Sequence, residues 1–412
     1  MMEFVFGPFS LSTDTATLTR DGVEVPLRPR AFHTLRVLAH HAGTFVDRQA
    51  IMADAWEGTH VTSHTIDVTV AELRQHLGEY GGWIVSRQKR GYALIVPRSD
   101  TLVRQGWHFW NQRTRTGCER ATECFERVIA DDPTDFRAFE GLSASCLALA
   151  VFGMRCPREM YPRFLEAHDQ AVALTGLRPE LRCNRAFGLC VFEHRPAESK
   201  AEFLRVLQDK PSLASTYVRL GMLCGALGRF DEALEIVGRG KQVDPLMPTL
   251  AAAEVLIHCW RRDFDTATAL GRRGVDLHPH LQVMRVNYAQ ALQFTGRFAE
   301  AQTQYHIASV ISPDVPWLRA LEGVCLAMRG RHAKASALQE ELEVLRRSEY
   351  VDAYYMAVLR CALGQPRRAL AELKRACAEN SAWLYAMNVD PMLDALRRMP
   401  GFRRLRWRRR AS

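Results

Sequence analysis

The sequence predicts a chain of two parts: a small α+β domain of short strands and three helices over residues 1–97, then an all-α solenoid of helical repeats over residues 102–387. Three observations carry this reading. Aromatic, small and proline positions return every 34 residues through the later part of the chain, which marks stacked repeats rather than one large core. The first hundred residues alternate short β-type runs with turn signals and then give three amphipathic segments. Two further strands joined by a basic turn follow the third of these segments at once. With 412 residues, 47% hydrophobic and 25% charged, the composition is that of a globular chain of several domains, which excludes extended disorder or a fibrous architecture.

The opening runs EFVFG, FSLS, TATLTR and VEVPL read as strands, separated by Gly, Pro and Asp-Gly turn signals. A helix follows from about Pro29 to His41, with Phe32, Leu35, Leu38 and Ala39 on one face, and Gly43 ends it. A second spans Arg48 to Trp56 behind Asp47 as an N-cap. The third lies in VTSHTIDVTVAELRQHLG, capped by Thr62 or Ser63 at its start and by Gly78 at its end. At about 100° per residue, Ile66, Val70, Leu73 and Leu77 share one face and form the core side. His64, Thr65, Val68, Glu72 and Gln75 fall opposite. A valine among small polar residues on an outer face suits a helix in the major groove, where an apolar contact reads the thymine methyl. The alternative is an ordinary solvated face. GGWIVSRQKRGYALIVP then gives two strands with Arg87, Lys89 and Arg90 at the turn ahead of Gly91.

Residues 3–97 as a whole resemble the winged helix-turn-helix output domain of OmpR/PhoB-type response regulators, including the four-stranded amino-terminal sheet special to that family. LRPRAFHTLRVLAHHAG, DAW, SHTIDVTVAELRQHLG and RGYAL carry the resemblance, and AELR is similar to the SELR of ToxR- and CadC-like members. The resemblance implies double-stranded promoter DNA as partner. It places His64, Thr65, Val68 and Thr69 at groove-facing positions, with Glu72 where related members often carry an arginine. It also puts Ser86 and Arg90 at wing positions meeting phosphate and minor groove, and Arg30 and Trp56 at positions contacting the DNA backbone. There is no room ahead of this domain for a receiver of about 120 residues, so phosphorylation of an aspartate in this chain is not the expected switch. Followed by repeats, the domain is similar in architecture to HilA-like regulators.

Residues 98–101 read as a short linker. Beyond them Phe230, Phe264, Phe298, His332 and Pro366 keep the 34-residue interval, as do Ala233, Ala267, Ala301, Ala335 and Ala369, and Pro211, Pro245, Pro279 and Pro313. Each unit reads as two amphipathic helices, for example Thr216 to Leu227 and Asp231 to Gln242, around a GRF-type turn. One hairpin cannot bury its apolar face alone, so neighbours stack into a superhelix. This resembles the tetratricopeptide repeat; Gly221 and Gly323 match its glycine position, while Phe187, Val255, Ala289 and Ala357 depart from it. Six units are clear and seven or eight are expected, with FGMRCPREMYPR (152–163) as an enlarged turn. Residues 388–412 read as a cap, NVDPMLDALRRMPGFRRL, and an arginine-rich tail.

The net charge of +9 is unevenly spread: residues 1–97 carry 9 Lys and Arg against 10 Asp and Glu, 98–396 carry 38 against 36, and 397–412 carry 8 arginines and no acid. The tail therefore supplies nearly all of the excess, and with few cations the amino-terminal domain alone should bind DNA weakly with a shallow salt dependence. The 11 cysteines are scattered without C-x-x-C pairs, which fits reduced thiols used as small core residues. His40-His41 and His278-Pro279-His280 lack further ligands at useful spacing, and no phosphate-binding, nucleophile-elbow or zinc-protease motif is present. Neither catalytic residues nor a metal or cofactor is expected. No apolar run reaches the roughly 18 residues a membrane span needs, and Glu3 with no preceding cation is unlike a secretory signal.

The expectation is a cytoplasmic, nucleoid-associated bacterial transcription regulator. Its repeats would offer a concave groove to a protein partner such as RNA polymerase or to a small effector, and it would bind DNA as a homo-oligomer. The alternative is a protein-interaction scaffold whose winged helix docks protein.

Overall fold

The computed structural model describes residues 3–20, 22–56 and 63–405, leaving aside the side chains of Ser63 and His64. It divides into two compact units between Gln105 and Gly106, inside the helix Arg98–Asn111. Residues 98–101, read from the sequence as a linker, form the first turn of that helix.

In the first unit β1 (Glu3–Phe6), β2 (Phe9–Ser12), β3 (Thr17–Arg20) and β4 (Val23–Val25) make an antiparallel sheet in chain order. Its inner residues Phe9, Leu11 and Leu18 are fully buried against a three-helix layer of α1 (Pro29–His40), α2 (Arg48–Ala55) and α3 (Ser63–Leu77). Pro29 supplies a pre-set first helical residue of α1. Asp47 caps α2 by accepting from Ala50 N. Ile66, Val70, Leu73 and Leu77 of α3 are all at 0% exposure, so the expected core face is the observed one. The strands β5 (Ile84–Arg87) and β6 (Gly91–Leu94) form a separate hairpin, anchored by a bridge between Val46 and Tyr92.

The second unit is a run of eight consecutive helical pairs among the described residues, from Arg98–Asn111 with Arg115–Asp131 to Ala353–Ala362 with Pro366–Glu379. Ala233, Ala267, Ala301, Ala335 and Ala369, the residues of the 34-residue period, all have 0% exposure where the second helix of each pair meets the first. A side chain at Gly221 would run into Val237, which explains the small residue there. Of the 11 cysteines, none is in a disulfide and eight are buried; burial pushes the Cys146 thiol up to about 11.

Two features of this unit exceed the repeat pattern. The superhelix comes round to meet itself: Trp317 Nε1 donates to Phe152 O at 2.7 Å, Thr116 N donates to Asp314 Oδ2 at 2.8 Å, and Arg115 Nη1 reaches Glu349 at 2.7 Å. The expected enlarged turn thus carries this closure at its start, before the next helix begins at Pro157. The stretch after the last pair, Ser381–Leu396, then runs back through the inside. Its 3-10 turn Ala382–Ala386 packs on the helices Phe136–Val151 and Pro179–Val191. Tyr385 meets Trp260 edge to face with ring centroids 6.3 Å apart, and Trp383 meets Tyr355 at 6.2 Å. One short segment can touch the second, third, fifth and eighth pairs only from within the superhelix.

That segment is built in rather than laid on. Leu384, Ala386, Met387, Leu393 and Leu396 are at most 3% exposed. Ser381 Oγ donates to Asp352, Tyr354 Oη donates to Asp390 at 2.7 Å, and Arg262 donates to Val389 O and to Asp394. The terminal segment is therefore more than an end cap: it occupies part of the concave face that the repeat pattern alone would leave open.

Candidate nucleic-acid interface

Helix α3 is fixed in rotation by its four buried residues, which leaves Val68 53% exposed on the outward side, with Gln75 exposed and Thr65 half-buried. The side chain of His64 lies outside the described residues. Thr69 is set apart from this group: it is 7% exposed and its hydroxyl donates to Thr65 O at 2.9 Å, a bond within the helix itself. Glu72 is half-buried, its carboxylate 3.7 Å from Arg28 Nε and 3.9 Å from His76 Nε2. An acid held this way screens neighbouring cations and opposes close approach of phosphate.

The hairpin end is wholly exposed from Ser86 to Arg90. Arg90 N donates to Arg87 O at 3.1 Å, Lys89 takes φ +64°, and Gly91 takes φ +86°. Gly91 has no alternative, because a Cβ there would lie 1.9 Å from Val46 O. Arg87 spreads its guanidinium 5.3 Å from the Phe45 ring centre, so Lys89 and Arg90 form the tip. Arg30 and Trp56 sit together where α1 meets the end of α2. Arg30 Nη1 donates to Ala55 O at 2.8 Å and its guanidinium lies 6.0 Å from the Trp56 ring, which is 4% exposed and belongs to the core.

The structure adds a device that sequence reasoning missed. Asp67, on α3, accepts from Arg48 Nη2 at 3.0 Å and Nε at 3.2 Å, and also from the Tyr92 hydroxyl. One carboxylate thus ties α3 to the first residue of α2 and to the second residue of β6. Burial pushes the Tyr92 phenol up, and the bond to Asp67 adds to it; the same carboxylate raises Arg48. Partners 19 and 25 residues apart leave no local signal in the sequence. Arg74 ends the set, donating through Nη2 and Nε to Ile84 O at 2.6 and 3.1 Å and so holding the hairpin to α3.

Residues 22–94 match the family model described as "Transcriptional regulatory protein, C terminal". They form a regulator domain of the OmpR/PhoB type. The regulator domain is 28% identical over 95 residues to the transcriptional activator CadC of Escherichia coli, a match covering 22% of this chain and 19% of CadC. It is 41% identical over 61 residues to the transcriptional regulatory protein CutR of Streptomyces coelicolor, covering 15% of this chain and 28% of CutR. The chain thus matches less than a third of the length of either relative. The human IFIT1 dimer has a fold similar over 80% of this chain and 82% of its own, with a TM-score of 0.50 at 17% identity. That likeness concerns fold alone and agrees with the helical-repeat class. No helix among the described residues is long and apolar enough to cross a membrane.

Proposed function

We propose that this chain is a cytoplasmic transcription regulator that binds double-stranded promoter DNA. Helix α3 enters the major groove, and Lys89 and Arg90 meet phosphate at the neighbouring minor groove. One observation carries the reading: an outward α3 surface led by Val68, opposite four fully buried residues, is held in register with a cationic hairpin tip through Asp67 and Arg74. Thr65, Val68 and His64 are the base-reading candidates, with Ser86 and Arg90 on the backbone. Thr69, Trp56 and Arg30 support the frame, and Glu72 tunes the charge. The regulator works by binding and has no chemistry of its own. Its repeat array senses a partner or effector and passes the result to oligomerisation on DNA or to polymerase recruitment.

The test is retention of genomic fragments by the full chain at two salt concentrations, compared with Arg90→Ala and Val68→Ala. Arg90→Ala should weaken binding to all sequences alike and flatten the salt slope by about one. Val68→Ala should instead change which sequences are retained. Because one such domain touches few bases, a footprint should show two half-sites about one helical turn apart. A second reading, a scaffold whose winged helix docks protein, is favoured by the surplus of one acid in residues 1–97. Unselective retention unaffected by Arg90→Ala would select it.

A further inference from the structure

Binding through the winged domain makes no use of the carboxy-terminal cations, many of which share one surface. Residues 366–412 hold 12 Lys and Arg against 4 Asp and Glu, so this stretch carries nearly the whole net charge of the chain. Its four acids are all engaged elsewhere. Glu372 is held by Arg346 at 3.0 Å and Arg360 at 3.3 Å, and Glu379 by Arg375 at 2.5 Å. Asp390 accepts from the Tyr354 hydroxyl, and Asp394 pairs with Arg262 and Arg397. By contrast, Arg367, Arg368, Lys374, Arg398, Arg403 and Arg404 are exposed, and their side chains have no ion pair or hydrogen bond among the described residues.

Helix packing brings these six cations together. Leu370 of the last second helix, Pro366–Glu379, lies against Gly401 of the short helix Pro400–Leu405: a Cβ at Gly401 would come within 2.3 Å of Leu370 Cδ2, and the adjacent Phe402 is 2% exposed. Arg367 and Lys374 stand one turn to either side of Leu370, a separation that makes helical side chains neighbours about 5–6 Å apart. Arg398, Arg403 and Arg404 lie within three residues of Gly401 along the chain. Between its cations the exposed side of Pro366–Glu379 presents only small residues, Ala371, Cys377 and Ala378, beyond its first residue. Each of the other seven second helices shows at least one exposed acid, from Glu123 in the first pair to Glu340 in the seventh; this one shows none among the described residues. Like charges spaced more closely than a Debye length of about 8 Å repel one another, and the repulsion is relieved when a polyanion covers them.

We infer that this surface is a second, sequence-independent contact for double-stranded DNA, holding phosphate backbone while helix α3 reads bases. The inference rests on the DNA-binding role proposed for the winged domain and deepens it. A duplex carries one negative charge per about 1.7 Å of axis, a density that clustered unpaired cations match. Small residues between those cations let a rigid backbone come close. The same face lacks what other polyanions use: it exposes no aromatic ring for single-stranded bases to stack on and no large apolar side chain to enter a bilayer, among the described residues. The winged domain supplies the need, since its 9 Lys and Arg against 10 Asp and Glu give it little general affinity for phosphate. Two modest contacts in one chain hold a common partner more tightly than either alone. Four further arginines follow Leu405 in the sequence and add to the charge.

The experiment is fluorescence anisotropy of the full chain, across a series of salt concentrations, on a duplex selected by genomic retention and on one of scrambled sequence. The triple variant Arg367→Gln/Arg368→Gln/Lys374→Gln alters exposed side chains only, and circular dichroism and Tm identical to wild type would show that it folds. Its affinity should fall about tenfold on both duplexes alike, and the slope of log affinity against log salt should shrink by about two to three. Arg367→Lys/Arg368→Lys should bind as wild type does, because either cation neutralises a phosphate. An unchanged slope and affinity in the triple variant overturns the surface, and so does tighter binding of single-stranded RNA or phosphatidylserine vesicles than of duplex at equal salt. Arg90→Ala keeps the two roles apart. Loss of affinity with Arg90→Ala but not with the triple variant removes this surface and leaves the winged domain's role standing; loss with the triple variant alone does the reverse.

Discussion

Single residues show how closely the two units specify local geometry. Gly91 is the strictest case, because the wing must turn under Val46 O with a left-handed backbone. Gly91→Ala should destabilise the regulator domain by about 2 kcal/mol or more, since it combines a clash with a strained φ; urea unfolding measures it. The sequence displays this glycine in RGYAL without displaying the carbonyl that demands it. Asp352 is a second case. Burial lifts its carboxyl from 3.8 to about 6, against the opposing pull of the bonds from Tyr354 N and Ser381 Oγ. The fold therefore binds a proton that the unfolded chain releases between those values. The contribution of this group to stability grows as pH falls from 7 towards 4, and above pH 6 the ionised form costs roughly 3 kcal/mol. Asp352→Asn keeps the helix cap and removes the charge. Its stability advantage over wild type should be largest at pH 7 to 8 and shrink by pH 4, read from denaturation midpoints across that range.

At the scale of elements, helix α3 was legible because amphipathic periodicity is a local property. Four apolar residues on one face were enough to orient it, and every one is fully buried. The limits of that reading are equally local. The family's pattern puts Thr69 on the groove side, but it sits at the edge of the core face, where its hydroxyl turns back on the helix. Trp56 likewise serves the core. Asp67 carries no signal in the sequence, because a lone acid on an outer helical face looks like solvated surface. Its three donors come from other elements. Asp67→Ala should change stability by only about 1 kcal/mol or less, as expected for a part-exposed pair. It should nevertheless lower DNA affinity several-fold by freeing α3 from the wing. Fluorescence anisotropy on an operator fragment, paired with a Tm, separates those two effects.

For the whole molecule, the repeat unit is stabilised from inside by its own terminal segment. Tyr385→Ala should cost about 3–5 kcal/mol as a large buried aromatic is replaced by a cavity. Ending the chain at Asn380 should expose the inner faces of Trp260, Tyr354 and Tyr355 and yield a dye-binding, aggregating product, as light scattering and ANS fluorescence would register. If the truncated chain stayed compact and monodisperse, the segment would be an accessory and not part of the core. The sequence alone determined that a strand-rich winged domain precedes a run of stacked helical hairpins, six of them clear and seven or eight expected, because strand alternation, helical faces and a 34-residue period are written in neighbouring residues. Tertiary structure decided what those parts leave available: that Asp67 joins helix to wing, that the superhelix closes on itself, and that its interior holds a buried tail segment. Those outcomes rest on contacts between residues tens to hundreds of positions apart, and no periodicity or local propensity encodes which distant surfaces meet.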